Sequence, residues 1–411
     1  VQPITMYWVG GTGSWSDPNK WSFTSGGPGN GCIIPKSTDH VVFDNSSFTA
    51  INQTVTLNQT TTVVNMIWIN VAFTPSFTGS SSLTVNGNLF INSAMSWNQS
   101  GTLNLNGSVT FSSSMNWNRT TTTTLNPTAG NYTLDFAGKT LNGSMTFNGN
   151  INAVWNLVSD YKCGTNAITN LLQGKFYSNG YKVDFGLDFD SNNSNSRVLD
   201  FTGTDTVKVR RQWLISAGSL NFNIGNAILL MQTNQAENQT FTGGNLNYDD
   251  LIFQHQNTSD YSITLSGNNT YGSMLFNVTN RKDINLNGNN TIDGFTLNLD
   301  QVNTASIPLV TINGSNAFGT FLILSKNVQG PEIRFNQNNS FASFISVGRN
   351  SRLYFGAGKT QTFTGDVQIL GTGSTPIWVY SNPQGSQATL FKSSGVLCFD
   401  YVWIRDINAT G

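Results

Sequence analysis

Charge is scarce in this chain of 411 residues. Asp, Glu, Lys and Arg together make up 10% of the sequence, against about a quarter in ordinary globular proteins. The net charge is −1, which disfavours a nucleic-acid partner because nucleic-acid binders need a basic face. Glu237 and Glu332 are the only two glutamates, and glutamate is among the residues that favour helices. The composition therefore argues against a helical protein and against a nucleic-acid binder.

Cysteine, histidine and long apolar runs are scarce as well. The three cysteines, Cys32, Cys163 and Cys398, show no CxxC spacing, so a zinc site is disfavoured. The two histidines, His40 and His255, lie in no recognisable motif, and each is predicted to be a local hydrogen-bonding residue. No apolar run is long enough to cross a bilayer. The sequence thus predicts neither a zinc site nor a membrane span.

Asparagine and glycine are abundant instead. The chain contains 55 Asn and 40 Gly, beside many Thr and Ser. Asn and Gly suit tight turns, and Thr suits strands. Hydrophobic residues make up 38% of the sequence and aromatic residues 12%, so there is enough apolar surface to form a core. Composition alone therefore predicts a protein rich in strands and turns.

The sequence repeats itself. LTVNGNLFINSAMSWN at 83–98 is nearly matched, twenty residues later, by LNLNGSVTFSSSMNWN at 103–118. Four further units share one template of alternating apolar pairs on either side of an Asn/Gly turn; they begin at Ile263, Ile284, Val310 and Ile333. Weaker copies begin at Leu134, Leu199, Leu220, Leu246 and Leu353. A period of this length is typical of repeat architectures.

The repeat predicts how the chain folds. Period-two alternation turns one side of each short strand inward. A unit of 20–26 residues cannot bury its own apolar face, whereas stacked units can. We therefore predict an all-β, right-handed parallel β-helix (β-solenoid) with coils of that length, in which stacked Asn side chains form hydrogen-bond ladders. The alternative is a sandwich built from hairpins, with Asn-Gly turns joining antiparallel neighbours.

Two regions follow from this prediction. Residues 1–80 hold Trp8, Trp15 and Trp21 and are predicted to form an aromatic N-terminal cap and the first coils, because the open end of a solenoid needs covering. Residues 81–411 are predicted to form the solenoid. The last coil stops in the middle of the pattern without a polar cap, so the solenoid is expected to continue beyond residue 411 or to be covered by a partner.

Two parts of the chain resemble a known group of proteins. YWVGGTGSWSDPNKWS at 7–22, followed by Pro35 and DHVVFDNSSF at 39–48, resembles the opening of large secreted Asn/Gly-rich β-helix repeat proteins. FGAGKTQTFTGDVQILGTG at 355–373 and SQATLFKSSGVLCFDYVWIRDINATG at 386–411 resemble their closing coils. This group includes bacterial and archaeal surface proteins and phage structural proteins. The resemblance implies an extracellular β-helix with an adhesive, coat-like or fibre role, and it implies no catalytic residues.

Two tryptophans allow opposite interpretations. Trp97 and Trp117 share the parity of Met95 and Met115, which is that of the inward residues of their units. This parity favours a ladder of core side chains that runs from coil to coil. The alternative is an exposed stripe, with Trp155, that stacks on sugar rings.

One stretch has the spacing of a calcium loop. Oxygen-bearing side chains recur at every second position; these are Asp188, Asp190, Asn192 and Ser194. The match is partial, because Asn193 replaces the usual glycine and Leu199 replaces the usual glutamate. Calcium is the one cofactor that the sequence suggests. The alternative is an outward strand face that carries alternating Asp.

The remaining candidate sites are acidic residues that could be catalytic and Asn-x-Ser/Thr sequons that could be glycosylated. Asp184 with Asp188 and Asp190 forms the densest acidic cluster, and Asp249-Asp250 a smaller one; paired carboxylates of this kind can cleave glycans. Asn-x-Ser/Thr occurs at 17 places. Glycosylation candidates are Asn52, Asn58, Asn106, Asn142 and Asn313.

Taken together, the sequence favours an extracellular, non-catalytic structural or adhesive module of a cell-surface protein or filament. Its predicted partners are further copies of itself stacked end to end, a surface or virion scaffold, or glycans. The first alternative is a virion tail or fibre protein with the same fold. The second is a glycan-active enzyme built on the same scaffold.

Overall fold

The computed structural model describes residues 2–257, 259–279, 282–299, 307–325 and 330–411. Regular structure in these residues is almost entirely β-strand, the exception being a 3-10 turn at Pro18–Lys20. The strands form parallel sheets stacked as a β-solenoid of about fifteen turns. The predicted all-β solenoid is therefore confirmed, and the hairpin sandwich is wrong. Its right-handed sense stays a prediction.

The chain divides into two compact units. Unit 1 comprises residues 1–207 and 218–225, and unit 2 comprises residues 208–217 and 226–411. The predicted boundary near residue 80, the cap before it and the continuation past residue 411 stay predictions.

Unit 1 contains 25 of the described strands, with strand β25 (Thr206–Val209) lying across the division. They are β1 Thr5–Trp8, β2 Gly13–Ser14, β3 Trp21–Ser22, β4 His40–Phe43, β5 Thr54–Thr56, β6 Thr61–Val63, β7 Met66–Ile69, β8 Ser76–Thr78, β9 Leu83–Val85, β10 Leu89–Asn92, β11 Ser96–Trp97, β12 Leu103–Leu105, β13 Val109–Thr110, β14 Asn116–Trp117, β15 Thr123–Leu125, β16 Gly130–Asp135, β17 Thr140–Leu141, β18 Met145–Asn148, β19 Ala153–Leu157, β20 Tyr161–Cys163, β21 Ile168–Tyr177, β22 Val183–Asp184, β23 Asp188–Ser191, β24 Arg197–Asp200 and β27 Leu220–Asn223.

The strands of unit 1 stack in parallel columns, one for each side of the coil. One column runs β4-β7-β10-β13-β16-β19-β21-β24-β27. A second runs β6-β9-β12-β15-β18-β21-β23, and a third runs β2-β5-β8-β11-β14. The pairing of Leu83 with Leu103 and of Trp97 with Trp117 confirms that the twenty-residue repeat is one turn of the solenoid.

Aromatic side chains fill the first turns of unit 1. Trp8, Trp15 and Trp21 are fully buried, and Trp21 makes edge-on contacts with the other two at centroid distances of 5.1 and 4.7 Å. Phe43 stacks on Trp68 at 3.8 Å. Edge-to-face and offset rings pack better than face-to-face pairs, so this cluster fills the core where β1 and β3 pair antiparallel.

Unit 2 contains twenty of the described strands. They are β26 Gln212–Ile215, β28 Ile228–Thr233, β29 Gln239–Thr242, β30 Asn247–His255, β31 Tyr261–Ser266, β32 Thr270–Val278, β33 Lys282–Leu286, β34 Thr291–Asn298, β35 Leu309–Ile312, β36 Ala317–Ser325, β37 Glu332–Phe335, β38 Asn339–Gly348, β39 Arg352–Gly356, β40 Thr360–Phe363, β41 Val367–Leu370, β42 Ile377–Asn382, β43 Ala388–Lys392, β44 Cys398–Asp400, β45 Val402–Arg405 and β46 Ile407–Thr410.

Two columns organise unit 2. The first runs β26-β29-β31-β33-β35-β37-β39-β42-β45. The second runs β28-β30-β32-β34-β36-β38 and then divides, through β40-β43-β46 and through β41-β44. In the first column Ile263, Ile284, Val310, Ile333 and Leu353 pair in succession. The predicted starts of these units are therefore correct.

The register of two weaker copies was predicted wrongly. Leu199 and Leu220 were matched as equivalent starts, but Leu220 pairs with Arg197, and Leu199 pairs with Phe222. The slip is two residues, and a two-residue slip returns each side chain to the same face of a strand. The same side chains therefore point inward in both registers. The alternation of apolar and polar residues does not distinguish the predicted register from the observed one.

A buried ladder of amide side chains holds the corner between the two columns of unit 2. Asn269, Asn290, Asn316, Asn339 and Gln361 are each at most 4% exposed. The backbone N–H of Asn269 donates to Oδ1 of Asn290 at 3.0 Å, that of Asn290 to Asn316 at 2.8 Å, and that of Asn316 to Asn339 at 2.9 Å. The side-chain nitrogens of Asn290, Asn316 and Asn339 donate onward to the next member of the ladder at 3.0–3.2 Å. The predicted asparagine ladders are confirmed.

Glycines precede this ladder because successive coils leave no room for a side chain. A Cβ on Gly314 would collide with the carbonyl of Gly288, and one on Gly288 would collide with the carbonyl of Gly267. Gly288 also has φ +94°, a backbone conformation that favours glycine. In the Asn-Gly turns of the repeats, glycine thus allows the backbones of successive coils to approach closely, and the asparagine that follows supplies a buried amide to the ladder.

We expect Asn316→Ala to open the ladder at its centre. The substitution removes the acceptor of both the backbone N–H and the side-chain amide of Asn290. An unpaired buried polar group costs about 1–3 kcal/mol, so protection of the Asn290 amide against hydrogen exchange should fall by about tenfold or more. Hydrogen exchange followed by mass spectrometry over this corner measures the change.

Asn313→Ala in the same turn is the matched control. Asn313 is exposed, and its ladder bonds to Asn287 and Asn336, both 2.8 Å, can be replaced by water. Protection at Asn290 should change little. Equal losses in the two variants would contradict the structural role given to the buried ladder.

Candidate functional site

The proposed aromatic stripe lies inside unit 1. Trp97 and Trp117 stack at a centroid distance of 5.4 Å and an angle of 27°. They are 0% and 6% exposed, while Met95 and Met115 are 1% and 0% exposed. Trp155 is fully buried too. The structure therefore places all five side chains in the core and leaves none of them available to stack on a sugar.

The four calcium candidates do not share one environment. Asp188 is buried at 4% exposure, whereas Asn192 and Ser194 are exposed. Oδ1 of Asp190 accepts the backbone N–H of Asn192 at 2.8 Å, and the charge of Asp190 acts on the nearby guanidinium of Arg197. Among the described residues, no group of three or more His, Cys, Asp or Glu could hold a metal ion. Calcium binding here stays a prediction.

The fold divides the densest acidic cluster of the sequence between two columns. Asp184 lies in β22, which pairs with β20, whereas Asp188 and Asp190 lie in β23, which pairs with β21 in another column. Asp250 accepts a hydrogen bond from Ser273. The fold thus places Asp184 in a different column from Asp188 and Asp190, which lie two residues apart on the same strand.

The five sequon asparagines lie at or near the surface. Asn52, Asn142 and Asn313 are exposed. The amide nitrogen of Asn58 donates to Ser16 at 2.8 Å, and that of Asn106 donates to Asn86 at 3.0 Å. A glycan on such a nitrogen would replace one N–H and have to fit beside the neighbouring coil. Glycosylation at these residues stays a prediction.

The cysteines of the described chain form no disulfide. Cys32 and Cys398 are exposed, and Cys163 is buried. Burial raises the pKa of the Cys163 thiol to about 11, so this thiol stays protonated and unreactive at neutral pH.

A corner of unit 2 gathers several of the chain's few charges. We call Arg210, Glu237, His255 and Lys282 the corner cluster. Arg210 pairs with Glu237, with Nε to Oε1 at 2.9 Å. His255 is fully buried, its Nε2 lies 3.0 Å from the carbonyl of Glu237, and its ring stacks on Tyr261 at 6.2 Å. Two of the rarest residue types in the sequence thus meet at one place.

The charged groups of the corner cluster have partners in and around it, whereas the buried Nδ1 of His255 has no hydrogen-bond partner among the described residues. Lys282 donates to the carbonyls of Asn257 and Ser259, and its pKa is lowered by burial although the charge of Asp260 opposes this. Glu237 accepts bonds from both Arg210 and Thr233. The cluster therefore fits a structural role, in which buried polar groups fix the path of a loop.

A polar cavity lies beside the corner cluster. Its volume is about 350 Å³, and it is lined by Asn238, Asp260, Tyr261, Ser262 and Asp283. This volume is at the lower end of the range for ligand pockets. Two carboxylates and one aromatic ring at a cavity are groups that can hold a sugar, so this site carries the enzyme alternative.

The outer side of the last coils carries a different kind of surface. In the first column of unit 2, the side chains that alternate with the core form two outward rows. One row pairs Glu332, Arg352, Trp378 and Trp403 in register. The other pairs Arg334, Tyr354, Tyr380 and Arg405. We call these eight residues the Arg–aromatic face.

Guanidinium groups and rings stack along the Arg–aromatic face. The guanidinium of Arg352 lies 4.6 Å from the ring centroid of Trp378, and that of Arg405 lies 4.4 Å from Tyr380. Trp378 in turn lies 6.3 Å from Tyr380 and 6.1 Å from Trp403. Both cation–π contacts are well within the 6 Å reach of this interaction, so the face is a continuous, ordered stack.

The charge of the Arg–aromatic face is positive. Glu332 is its one carboxylate and pairs with Arg334, with Nε to Oε1 at 2.6 Å. Arg405 lies 4.0 Å from Asp406. Nε of Arg352 is buried and has no hydrogen-bond partner among the described residues. Of the three arginines, Arg334 is the one held by the carboxylate of the face.

Sequence reasoning missed this face because it followed the inward positions of the repeats. The outward positions show a change of residue type that marks the face. Along one row, Thr240, Thr264, Asn285 and Thr311 pair in succession before Arg334. The change from small neutral residues to Arg and aromatic residues would have shown the face, had outward positions been aligned.

We expect acid to destabilise unit 2 through His255. Burial lowers the pKa of its imidazole below the ordinary value of about 6.5, so on acidification the unfolded chain takes up a proton that the folded unit does not. Stability is therefore full above about pH 6.5 and falls as the pH drops below it, by at most about 1.4 kcal/mol per pH unit. Unfolding midpoints measured between neutral and mildly acid pH give the slope.

His255→Gln should flatten this acid slope, because glutamine does not titrate. His40→Gln removes the other imidazole, which lies in unit 1 beside Asn65, so the acid slope that His255 gives to unit 2 should remain in this variant. An acid slope that persists in His255→Gln would assign it to other groups.

No helix among the described residues is long and apolar enough to cross a membrane.

Searches against family models, curated proteins and solved structures find no match to this chain.

Proposed function

We propose that this chain is an extracellular, non-catalytic structural and adhesive module, a β-solenoid that displays a binding surface on its outer side. The observation that carries the proposal is the Arg–aromatic face. It lies on the side of the coil, where the outward residues contribute little to the core, and it replaces the small neutral residues of earlier coils. Exposed aromatic and arginine side chains are enriched in contact surfaces.

The remaining surface supports the same proposal. Unit 2 presents outward rows of Thr and Asn, and the whole chain has a net charge of −1. A nearly neutral surface limits charge-driven, unspecific sticking. One cationic, aromatic face on such a background makes contact selective. The resemblance of residues 7–22 to the opening of secreted β-helix repeat proteins supports an extracellular location.

Two alternatives keep the same fold. A virion tail or fibre protein would need the same stacked coils and a contact face, and the resemblance to phage structural proteins supports it equally. A glycan-active enzyme is supported by Asp260 and Asp283 at the polar cavity, since paired carboxylates carry out glycoside cleavage.

Electron microscopy of the native source, with immunogold label directed against the folded chain, separates these proposals. We expect label on the outer surface of cells or on filaments attached to them. Label on the tails or fibres of virus particles would overturn the cellular location in favour of the virion alternative. Label confined to the cell interior would overturn both.

A further inference from the structure

We propose that the Arg–aromatic face binds an acidic polysaccharide, a sugar polymer that carries carboxylate or sulfate groups. The polymer would lie across successive coils. This inference rests on the proposed adhesive function and names the chemical class of its partner.

The face is rich in hydrogen-bond donors. Its one carboxylate, on Glu332, is already paired with Arg334, and the buried Nε of Arg352 has no hydrogen-bond partner among the described residues. Burial, and secondarily the charge of Glu332, raise the pKa of Tyr354, so its phenol stays neutral and able to donate. A surface with spare donors and spare positive charge is complementary to an acceptor-rich anion.

Stacking fixes the arginines without using their hydrogen bonds. The guanidinium of Arg352 lies over the ring of Trp378, and that of Arg405 lies over the ring of Tyr380. The N–H groups of a guanidinium lie in its plane, so a stacked guanidinium still offers its edge to a carboxylate or sulfate as two parallel hydrogen bonds. Because the side chains are already ordered, less conformational entropy is lost when a ligand binds.

The arrangement along the coils suits a polymer. Arg334, Arg352 and Arg405 lie on three of four successive strands, β37, β39 and β45, and paired strands are about 4.8 Å apart. A chain with repeated anionic groups can engage more than one arginine at a time, which raises its avidity over that of a single anion.

Charge density favours an acidic polysaccharide over a nucleic acid. Nucleic-acid sites neutralise many closely spaced phosphates with a broad basic surface. The face holds three arginines, of which Arg334 pairs with Glu332 and Arg405 lies 4.0 Å from Asp406, on a chain of net charge −1. Partly buried rings between the arginines suit the apolar faces of sugar rings, which bind through few charges and many packing contacts.

Binding of the purified full chain to polygalacturonate and to heparin tests the proposal, with dextran as a neutral polysaccharide and poly(dT) as a nucleic acid. We expect binding to polygalacturonate, to heparin or to both that weakens as salt is added, with little binding to dextran or poly(dT). The double substitution R352Q/R405Q should weaken binding by about tenfold or more, since charge-assisted hydrogen bonds are lost.

Two further variants separate a specific face from general charge. Arg349→Gln removes an exposed arginine outside the face and should bind as the parent does. R352K/R405K keeps both charges but removes the planar fork, so its binding should fall between that of the parent and that of R352Q/R405Q. Unchanged unfolding midpoints show that each variant is folded.

Three results would overturn the proposal. They are no binding to either acidic polysaccharide, equal loss of binding in Arg349→Gln and R352Q/R405Q, and binding to poly(dT) or dextran as tight as to the acidic chains. None of these depends on where the protein is located, so failure here leaves the cell-surface location to be decided by microscopy.

Discussion

The corner of a parallel solenoid turns backbone N–H groups away from the strand ladders and out of reach of water. Such groups must be paired inside the protein, because a buried donor without a partner is costly. In unit 2 a side-chain amide supplies the partner, with Asn290, Asn316 and Asn339 each accepting from the previous coil. The pairing works only when equivalent residues lie directly above one another, so the ladder favours one register for the coils from Asn269 to Gln361.

That register determines what the core and the surface look like. Phe295 stacks on Phe321 at 4.6 Å, and Phe321 stacks on Phe344 at 5.3 Å, because the ladder brings equivalent inward positions into contact. After the last member of the ladder, the pairing of β39 with β42 continues the column and brings Arg352 to Trp378 on the outside. The buried ladder and the stacked rings thus fit one register over the coils that they share.

The sequence predicts the coil better than it predicts the contacts between coils. The alternation within a strand and the Asn-Gly turn are local, so the unit starts at Ile284 and Val310 could be placed correctly. The slip at Leu199 and Leu220 shows the limit, since two registers differing by two residues bury the same side chains. The candidate site was missed for a related reason: Arg352 and Trp378 are 26 residues apart, and they become neighbours only through pairing across coils.

The buried ladder has a direction, and this bears on how the chain is made. The backbone N–H of Asn290 donates forward to Asn316, which belongs to the coil that follows it in the sequence. A coil leaving the ribosome therefore lacks its acceptor until the next coil has been synthesised and has docked. At this corner, each coil therefore depends on the coil synthesised after it for the acceptor of its buried amide N–H.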